Sequence, residues 1–457
     1  MNSIIWFVSG AWILLLSWFL SSLSKEKFLS PTRFIGISWG IMYFLSALQV
    51  IKFPPVSLSA WLYLVIFVTT QVLGAFLGGL GKNTKWQNET ERSRALFSYL
   101  ASSKAITIIC ILGLVGVIFS LYDSIILTGF DPFQPNISRD VLNIIYSHKS
   151  TWINRIATLT QPFAWLSIIL VALYSDYLKP KIKLLCFFII IGLISLGVAS
   201  AGRTIMVRIF LILFLVILAR KSLGFKSWPW KWNFITRSMF VILITGFIYY
   251  FFYVWIWRAG GSESLIVNLK NYSIYAEESQ GLNTFLNKFV PNNFKGSFSL
   301  LTFYIFTFAD NFALFFDKVY IQPFWGLWHF FSFASAFSKF GFTNLTSDGI
   351  YLSVFSSYRS VGLWSAQWRT MAQEYILDFG RVGALVASFG SGLVIGWVYK
   401  ALRKGSYQWL GLYIVLASWA IYGAYTSAFT PGQFLIFLYS LIYGWAARKK
   451  YIKVITI

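Results

Sequence analysis

The sequence predicts an all-α polytopic integral membrane protein. Three observations carry this. Apolar runs of about 20 residues recur along the chain, the length a helix needs to cross a bilayer. Hydrophobic residues make up 57% of the 457 positions and charged residues only 12%. Basic residues gather in alternate connections between the runs, as the positive-inside rule requires of a multi-pass chain.

The runs place spans at 3–23, 34–51, 60–80, 105–127, 159–177, 184–199, 205–219, 239–257, 382–399, 409–425 and 434–446. That is about eleven, or up to about thirteen if two further apolar stretches cross as well. The first run, MNSIIWFVSGAWILLLSWFL, has no basic n-region and no small-x-small cleavage site, so it reads as a retained span and not a signal peptide. Cys110 and Cys186 sit inside the fourth and sixth runs and read as small core residues, since no CxxC pattern or disulfide framework accompanies them. Gly74-x-x-x-Gly78 in the third run and Gly392-x-x-x-Gly396 in the ninth are signatures of closely packed helices. The whole chain, 1–457, reads as one membrane domain.

Charge sets the orientation. The connections at 25–33, 82–104, 176–183, 220–237 and 400–404, with the tail at 448–453, hold 23 of the 38 basic residues and only four acids. All of these lie on one side of the predicted topology, which places them in the cytoplasm and the N-terminus outside. The net charge of +23 is therefore an orientation signal, and no nucleic-acid partner is expected; the bilayer is the partner.

The same topology turns the segment from Arg258 to Arg381 outward. A connection of this length is a functional region or carries structure of its own. Within 258–381 lie two aromatic-rich stretches, 297–316 and 323–337. One extra span would reverse the C-terminal half against its charges, so interfacial or re-entrant helices are preferred. Two extra spans would preserve the orientation and remain open.

Much chemistry is missing. GGLGKNT lacks the rest of a P-loop, and there is no HExxH, no Cys/His cluster and no Asp-x-Asp. The expectation is a reaction with no metal and no cofactor.

The candidate residues all fall on the outward side. In SAGRTIMVR, Arg203 sits at the head of the seventh run and Arg208 about 7 Å deeper. An arginine at the centre of a bilayer costs about 2.5–3.5 kcal/mol on insertion scales, so Arg208 should face a wet or anionic cavity or pair with a buried carboxylate. Thr204 shares its helix face. Arg203 is an interface anchor or, if the helix starts after it, a second ligand to the same group. Arg258, Arg359, Arg369 and Arg381 are further outward arginines. The bidentate fork of arginine suits phosphate, although each alone can equally be solvated or paired with lipid headgroups.

A second concentration lies in WSAQWRTMAQEYILDFGRVG. Glu374 and Asp378 are four apart and share a helix face. They form local ion pairs, or one of them accepts a proton from a hydroxyl. His329, in GLWHFF, is structural or a base working near neutral pH. Asp310 stands among Phe303, Tyr304, Phe306, Phe308, Phe312 and Phe315. An acid on an aromatic platform can grip a sugar, and interfacial aromatics have the same pattern.

Taken together, SAGRT at the outer start of a span, the long outward loop containing QPFWGLWHFF, and EYILDFGRVGALVASFGSGLVIGW leading into a late span resemble the bacterial O-antigen and capsule repeat-unit polymerases, the Wzy-type family. Ala201 and Gly202 depart from that family's small-residue order. The resemblance implies a C-type glycosyltransferase-like membrane fold in the bacterial inner membrane. It implies polyprenyl-pyrophosphate-linked oligosaccharide as donor and acceptor in lipopolysaccharide or capsule assembly, and a chain-length regulator protein as a partner. On this view Arg203, Thr204, Arg208, Arg258, Arg369 and Arg381 are candidates for binding pyrophosphate, Glu374, Asp378 and His329 for catalysis, and Asp310 for binding sugar. A flippase for the same lipid-linked glycan, an O-antigen ligase and a scaffold for glycan assembly are the alternatives.

Overall fold

The computed structural model describes residues 2–24, 29–81, 104–127, 152–199, 204–226, 273–330, 345–363, 369–425 and 431–455, with single positions between 238 and 250 and between 334 and 341. The described chain is helical almost throughout. In order it forms α1 (Asn2–Leu23), α2 (Pro31–Ala47), α3 (Leu58–Gly79), α4 (Lys104–Tyr122), α5 (Trp152–Leu173), α6 (Pro180–Ala199) and α7 (Thr204–Ser222). After these come α8 (Gln280–Phe289), α9 (Asn292–Phe306), α10 (Phe308–Lys318), α11 (Ser347–Ser360), α12 (Met371–Arg403), α13 (Leu410–Tyr422) and α14 (Pro431–Ile455).

Among the described residues, six helices are long and apolar enough to cross a membrane: α1, α3, α4 with its extension to Leu127, α5, α6 and α12. A seventh arises if α9 and α10 are counted as one broken or re-entrant span, since they meet at an angle of 69°. The other predicted spans fall on shorter helices (α2, 17 residues; α13, 13 residues) or on helices carrying several basic residues, α7 and α14. The predicted span at 239–257 lies largely outside the described residues. The protein is thus a helical membrane protein.

Read from the sequence as one membrane domain, the chain forms two compact units. The first comprises Met1–Gly81, Trp255–Trp397 and Trp419–Pro431; the second comprises Lys82–Val254, Val398–Ser418 and Gly432–Ile457.

In the first unit the helices begin where the sequence supplies caps. The Ser30 hydroxyl accepts the Arg33 N–H ahead of Pro31, Ser57 accepts Ala60 N–H, Ser279 accepts Leu282 N–H and Thr346 accepts Gly349 N–H. Two glycine pairs then lock α3 to α12. A methyl group on Gly74 would stand 2.2 Å from the Phe389 carbonyl oxygen, and one on Gly392 would stand 2.2 Å from that of Gln71. Gly78 and Gly396 are equally tight. The backbones approach this closely only because no side chain intervenes, which is the packing a small-xxx-small motif allows.

The part of this unit that includes α8–α11 carries its own cores. A two-stranded antiparallel ladder pairs β1 (Ile51–Lys52) with β2 (Glu277–Glu278) and sets Lys52 opposite Glu277. Ile51, Leu282, Leu286 and Phe303 bury one cluster beneath it. A second cluster joins Phe315 of α10, Val354 and Tyr358 of α11, Leu377 of α12 and Phe324 of the turn before His329. It fixes the start of α12 against the loop that carries His329.

In the second unit Gly113 and Gly116 of α4 lie against the backbone of α5 at Gln161 and Ala164. Arg220, at the end of α7, is fully buried. Its guanidinium donates to the carbonyls of Ala172 (3.2 Å), Leu173 (2.7 Å) and Lys226 (2.8 Å) and to the Asp176 carboxylate (2.7 Å). It satisfies the last carbonyls of α5, which a helix end leaves without partners.

Candidate functional site

The site grows from the first turns of α12. Thr370 and Gln373 form a reciprocal capping box: Thr370 N–H donates to Gln373 Oε1 (2.7 Å), and Gln373 N–H to Thr370 Oγ1 (3.4 Å). The helix starts there, so Glu374 and Asp378 follow one turn apart on one face. It breaks at Gly380, whose φ of 67° and ψ of 178° belong to a region that essentially only glycine occupies. The Asp-Phe-Gly motif therefore closes a short helical segment at Phe379, and the rest of α12 departs in a new direction.

The break frees carbonyls, and the turn at 323–330 takes them. Phe324 N–H donates to the Leu377 carbonyl (2.9 Å) and Trp325 N–H to that of Asp378 (2.7 Å). The turn then reverses through Trp325 (φ 53°) and Gly326 (φ 90°). This aims two further N–H groups back at the Asp378 side chain: Trp328 N–H reaches Oδ1 at 2.7 Å and His329 N–H reaches Oδ2 at 3.0 Å. The His329 ring, through Nδ1, meets Oδ2 as well. Asp378, fully buried, is thus held by two backbone donors and an imidazole. Hydrogen bonds to a charged acceptor are worth about 1.5–3 kcal/mol each, so this carboxylate organises the turn as much as it orients the histidine.

With Nδ1 engaged by Asp378, the other ring nitrogen of His329 faces Glu374, with Nε2 3.9 Å from Oε2. Both carboxylates and the histidine are buried. Phe379 lies nearly parallel to the imidazole at 6.5 Å and Tyr375 packs tilted at 5.5 Å, so aromatic rings surround the histidine that Asp378 holds at Nδ1. Arg369 completes the group, its guanidinium over the rings of Trp328 (4.8 Å) and Tyr358 (5.4 Å). Burial pushes the Tyr358 phenol well above its ordinary range, with Arg369 opposing, so Tyr358 keeps its proton at neutral pH.

This arrangement can do general acid–base work. A carboxylate on Nδ1 fixes the tautomer and orientation of an imidazole, leaving Nε2 to exchange a proton with a hydroxyl or with Glu374. Among the described residues no group of three or more His, Cys, Asp and Glu side chains is arranged to hold a metal ion.

The other sequence-predicted residues are dispersed. Arg381 lies past the helix break, bonded to the Phe316 carbonyl (2.7 Å) and stacked on the Phe316 ring at 3.9 Å. It lines a cavity of about 340 Å³ with Tyr320, Gln322, Pro323, Ile376 and Gly380. Asp310 does not present its carboxylate to a sugar. It is buried and accepts from Trp6 Nε1 (2.9 Å), Gln49 Nε2 (3.2 Å) and Asn2 Nδ2 (3.4 Å), so it ties α10 to the ends of α1 and α2. Thr204 and Arg208 belong to the second unit and stand one turn apart on α7; Arg208 is half-buried with its guanidinium 5.2 Å from the Trp165 ring. Arg203 and Arg258 lie outside the described residues.

Sequence reasoning missed Thr370, Gln373, Trp328 and Tyr358. The Thr-x-x-Gln spacing before an apolar run is a capping-box signal and was available for the first two. No local pattern marks Trp328 or Tyr358, which reach the site only through tertiary packing.

Fold and site together define a helical membrane protein with a buried histidine–carboxylate cluster at the break in a long helix. No family model, curated protein or solved structure matches the chain.

Proposed function

We propose that the chain is a metal-independent glycosyltransferase that polymerises polyprenyl-pyrophosphate-linked oligosaccharide units at the extracytoplasmic face of a bacterial inner membrane. The observation that carries this reading is the buried His329, oriented by Asp378 and facing Glu374, built on the same two motifs that resemble the repeat-unit polymerases. The reading includes about eleven spans with the N-terminus outside, from the charge distribution, and a C-type glycosyltransferase-like fold.

In this mechanism a hydroxyl of the incoming unit attacks the anomeric carbon of the growing glycan. The bond from that carbon to the pyrophosphate oxygen breaks, and lipid pyrophosphate leaves. The hydroxyl proton passes to His329 Nε2, and Asp378 stabilises the imidazolium that forms. Arg369, packed on Trp328 beside the histidine, takes up charge developing on the leaving group.

The test is genetic and biochemical. Deleting the chain should leave single-unit glycans on the surface, whereas loss of a flippase leaves none and loss of a ligase leaves polymer on its lipid carrier. Arg369→Ala should abolish long chains while single-unit capping persists; normal chain length from that variant removes Arg369 from the mechanism. A scaffold would tolerate both Arg369→Ala and His329→Gln.

A further inference from the structure

Beside the histidine cluster the turn at 323–330 and the segment leading into it expose two aromatic rings that the mechanism does not use. Trp325 is 78% exposed and Tyr320 is 79% exposed, while Val319 and Phe324 at the two ends of the intervening loop are buried. The loop is anchored at both ends and holds its rings out by construction. Trp325 also adopts a left-handed backbone (φ 53°), costing about 1–3 kcal/mol for a bulky residue. That conformation is held by its N–H bond to the Asp378 carbonyl, so the backbone of Trp325 is fixed to the frame that positions His329.

An indole that merely dips into the lipid interface needs no backbone strain. A strained backbone that holds an aromatic residue out beside the histidine cluster suits stacking on a ligand. The neighbouring cavity of about 340 Å³ falls within the range of small-ligand sites. Its walls are apolar, from Pro323, Ile376 and Leu377, with polar groups at Gln322 and Arg381. Arg381 gives one N–H to the Phe316 carbonyl, and its fork carries further donors. Apolar faces flanked by a few hydrogen-bonding groups match a pyranose ring, which has C–H bonds on its faces and hydroxyls at its edge.

We infer that the cavity lined by Tyr320 and Arg381, with the exposed Trp325 next to it in the chain, forms a subsite for a pyranose ring of the acceptor glycan. This rests on the polymerase reading for the identity of the acceptor. It moves Arg381 from the pyrophosphate to the sugar.

The probe is the repeat-unit oligosaccharide released by mild acid from the lipid carrier of a deletion strain. Its binding to the purified full chain in detergent micelles is measured by saturation-transfer NMR. The unmodified protein and Gly390→Ala should bind it equally, and Tyr320→Ala should weaken it about tenfold. Trp325→Gly is the decisive variant, because glycine relieves the strain: the protein should melt no lower than the unmodified chain and still lose binding by about tenfold. Undiminished binding in both aromatic variants, or no binding by the unmodified chain, overturns the inference. If binding depends on Trp325 but no variant or parent transfers sugar, the subsite stands and the polymerase reading falls. If Trp325→Gly polymerises normally and binds normally, the subsite falls and the polymerase reading stands.

Discussion

His329 and Asp378 are joined twice over, since the backbone N–H and the ring Nδ1 of the histidine both meet Oδ2 of the same carboxylate. The aspartate therefore sets both the position of the histidine's backbone and the orientation of its ring. Substitutions at the two positions should consequently differ. His329→Gln keeps the backbone donor and supplies an amide that can reach Asp378, so it should fold normally and lose about 100- to 10,000-fold in transfer rate. Asp378→Asn should lose a similar factor and also melt lower, because a neutral amide cannot accept from all three donors. Comparing turnover of lipid-linked repeat units with thermal melting in detergent separates the two. Equal melting loss in both variants would refute the division of labour.

Gly380 is where the site's geometry is decided. Its φ of 67° with ψ of 178° leaves a side chain strained at any size. A methyl group there would also stand 3.2 Å from Pro323 in the turn that carries His329. Gly380→Ala should destabilise by about 1–3 kcal/mol and reduce transfer through misplacement of Asp378. The check is a melting curve alongside the transfer assay; wild-type melting would mean that the helix can run unbroken through Asp378.

The glycine pairs give a third expectation with an internal control. At Gly78 a methyl group would fall 2.4 Å from the Leu393 carbonyl oxygen, whereas at Gly390 it would meet nothing within 4 Å. Gly78→Ala should force α3 and α12 apart and cost about 1–3 kcal/mol. Gly390→Ala should be neutral or stabilise by up to about 1 kcal/mol, as alanine does inside a helix. Thermal melting of the two variants under one detergent condition decides it, and loss of stability by Gly390→Ala would show that the helices are set differently.

What could be read ahead of the structure follows physical lines. Ten of the predicted spans fall on helices because hydrophobic run length is a local property. The two glycine motifs were legible as packing surfaces, although which surface met which was not, since that depends on tertiary contact. Glu374 and Asp378 were placed on one face by their spacing alone. That His329 joins them, 45 and 49 positions away in sequence, could not be read locally. Asp310 shows the opposite error: aromatic neighbours in sequence suggested a sugar platform, but the donors that engage its carboxylate come from Asn2, Trp6 and Gln49.

Arg220 was legible only as one more cytoplasmic charge, and its burial gives the last prediction. Its guanidinium donates to three carbonyls and to Asp176, with the arginine side chain 1% exposed and the aspartate 38% exposed. The carbonyls of Ala172 and Leu173 belong to the end of α5, so the arginine caps one helix from the end of another. Lysine carries the same charge but presents three donors from one point, which cannot span carbonyls and carboxylate arranged around a planar fork. Arg220→Lys should therefore preserve orientation in the membrane and still cost about 1–3 kcal/mol from buried acceptors left without donors. Asp176→Asn should cost less, about 1 kcal/mol or below, because its exposed carboxylate is already screened by solvent. Reporter fusions at the C-terminus test orientation, and melting in detergent tests stability. A reversed C-terminus in Arg220→Lys, or equal destabilisation by the two variants, would show that charge and not the fork geometry is what this residue contributes.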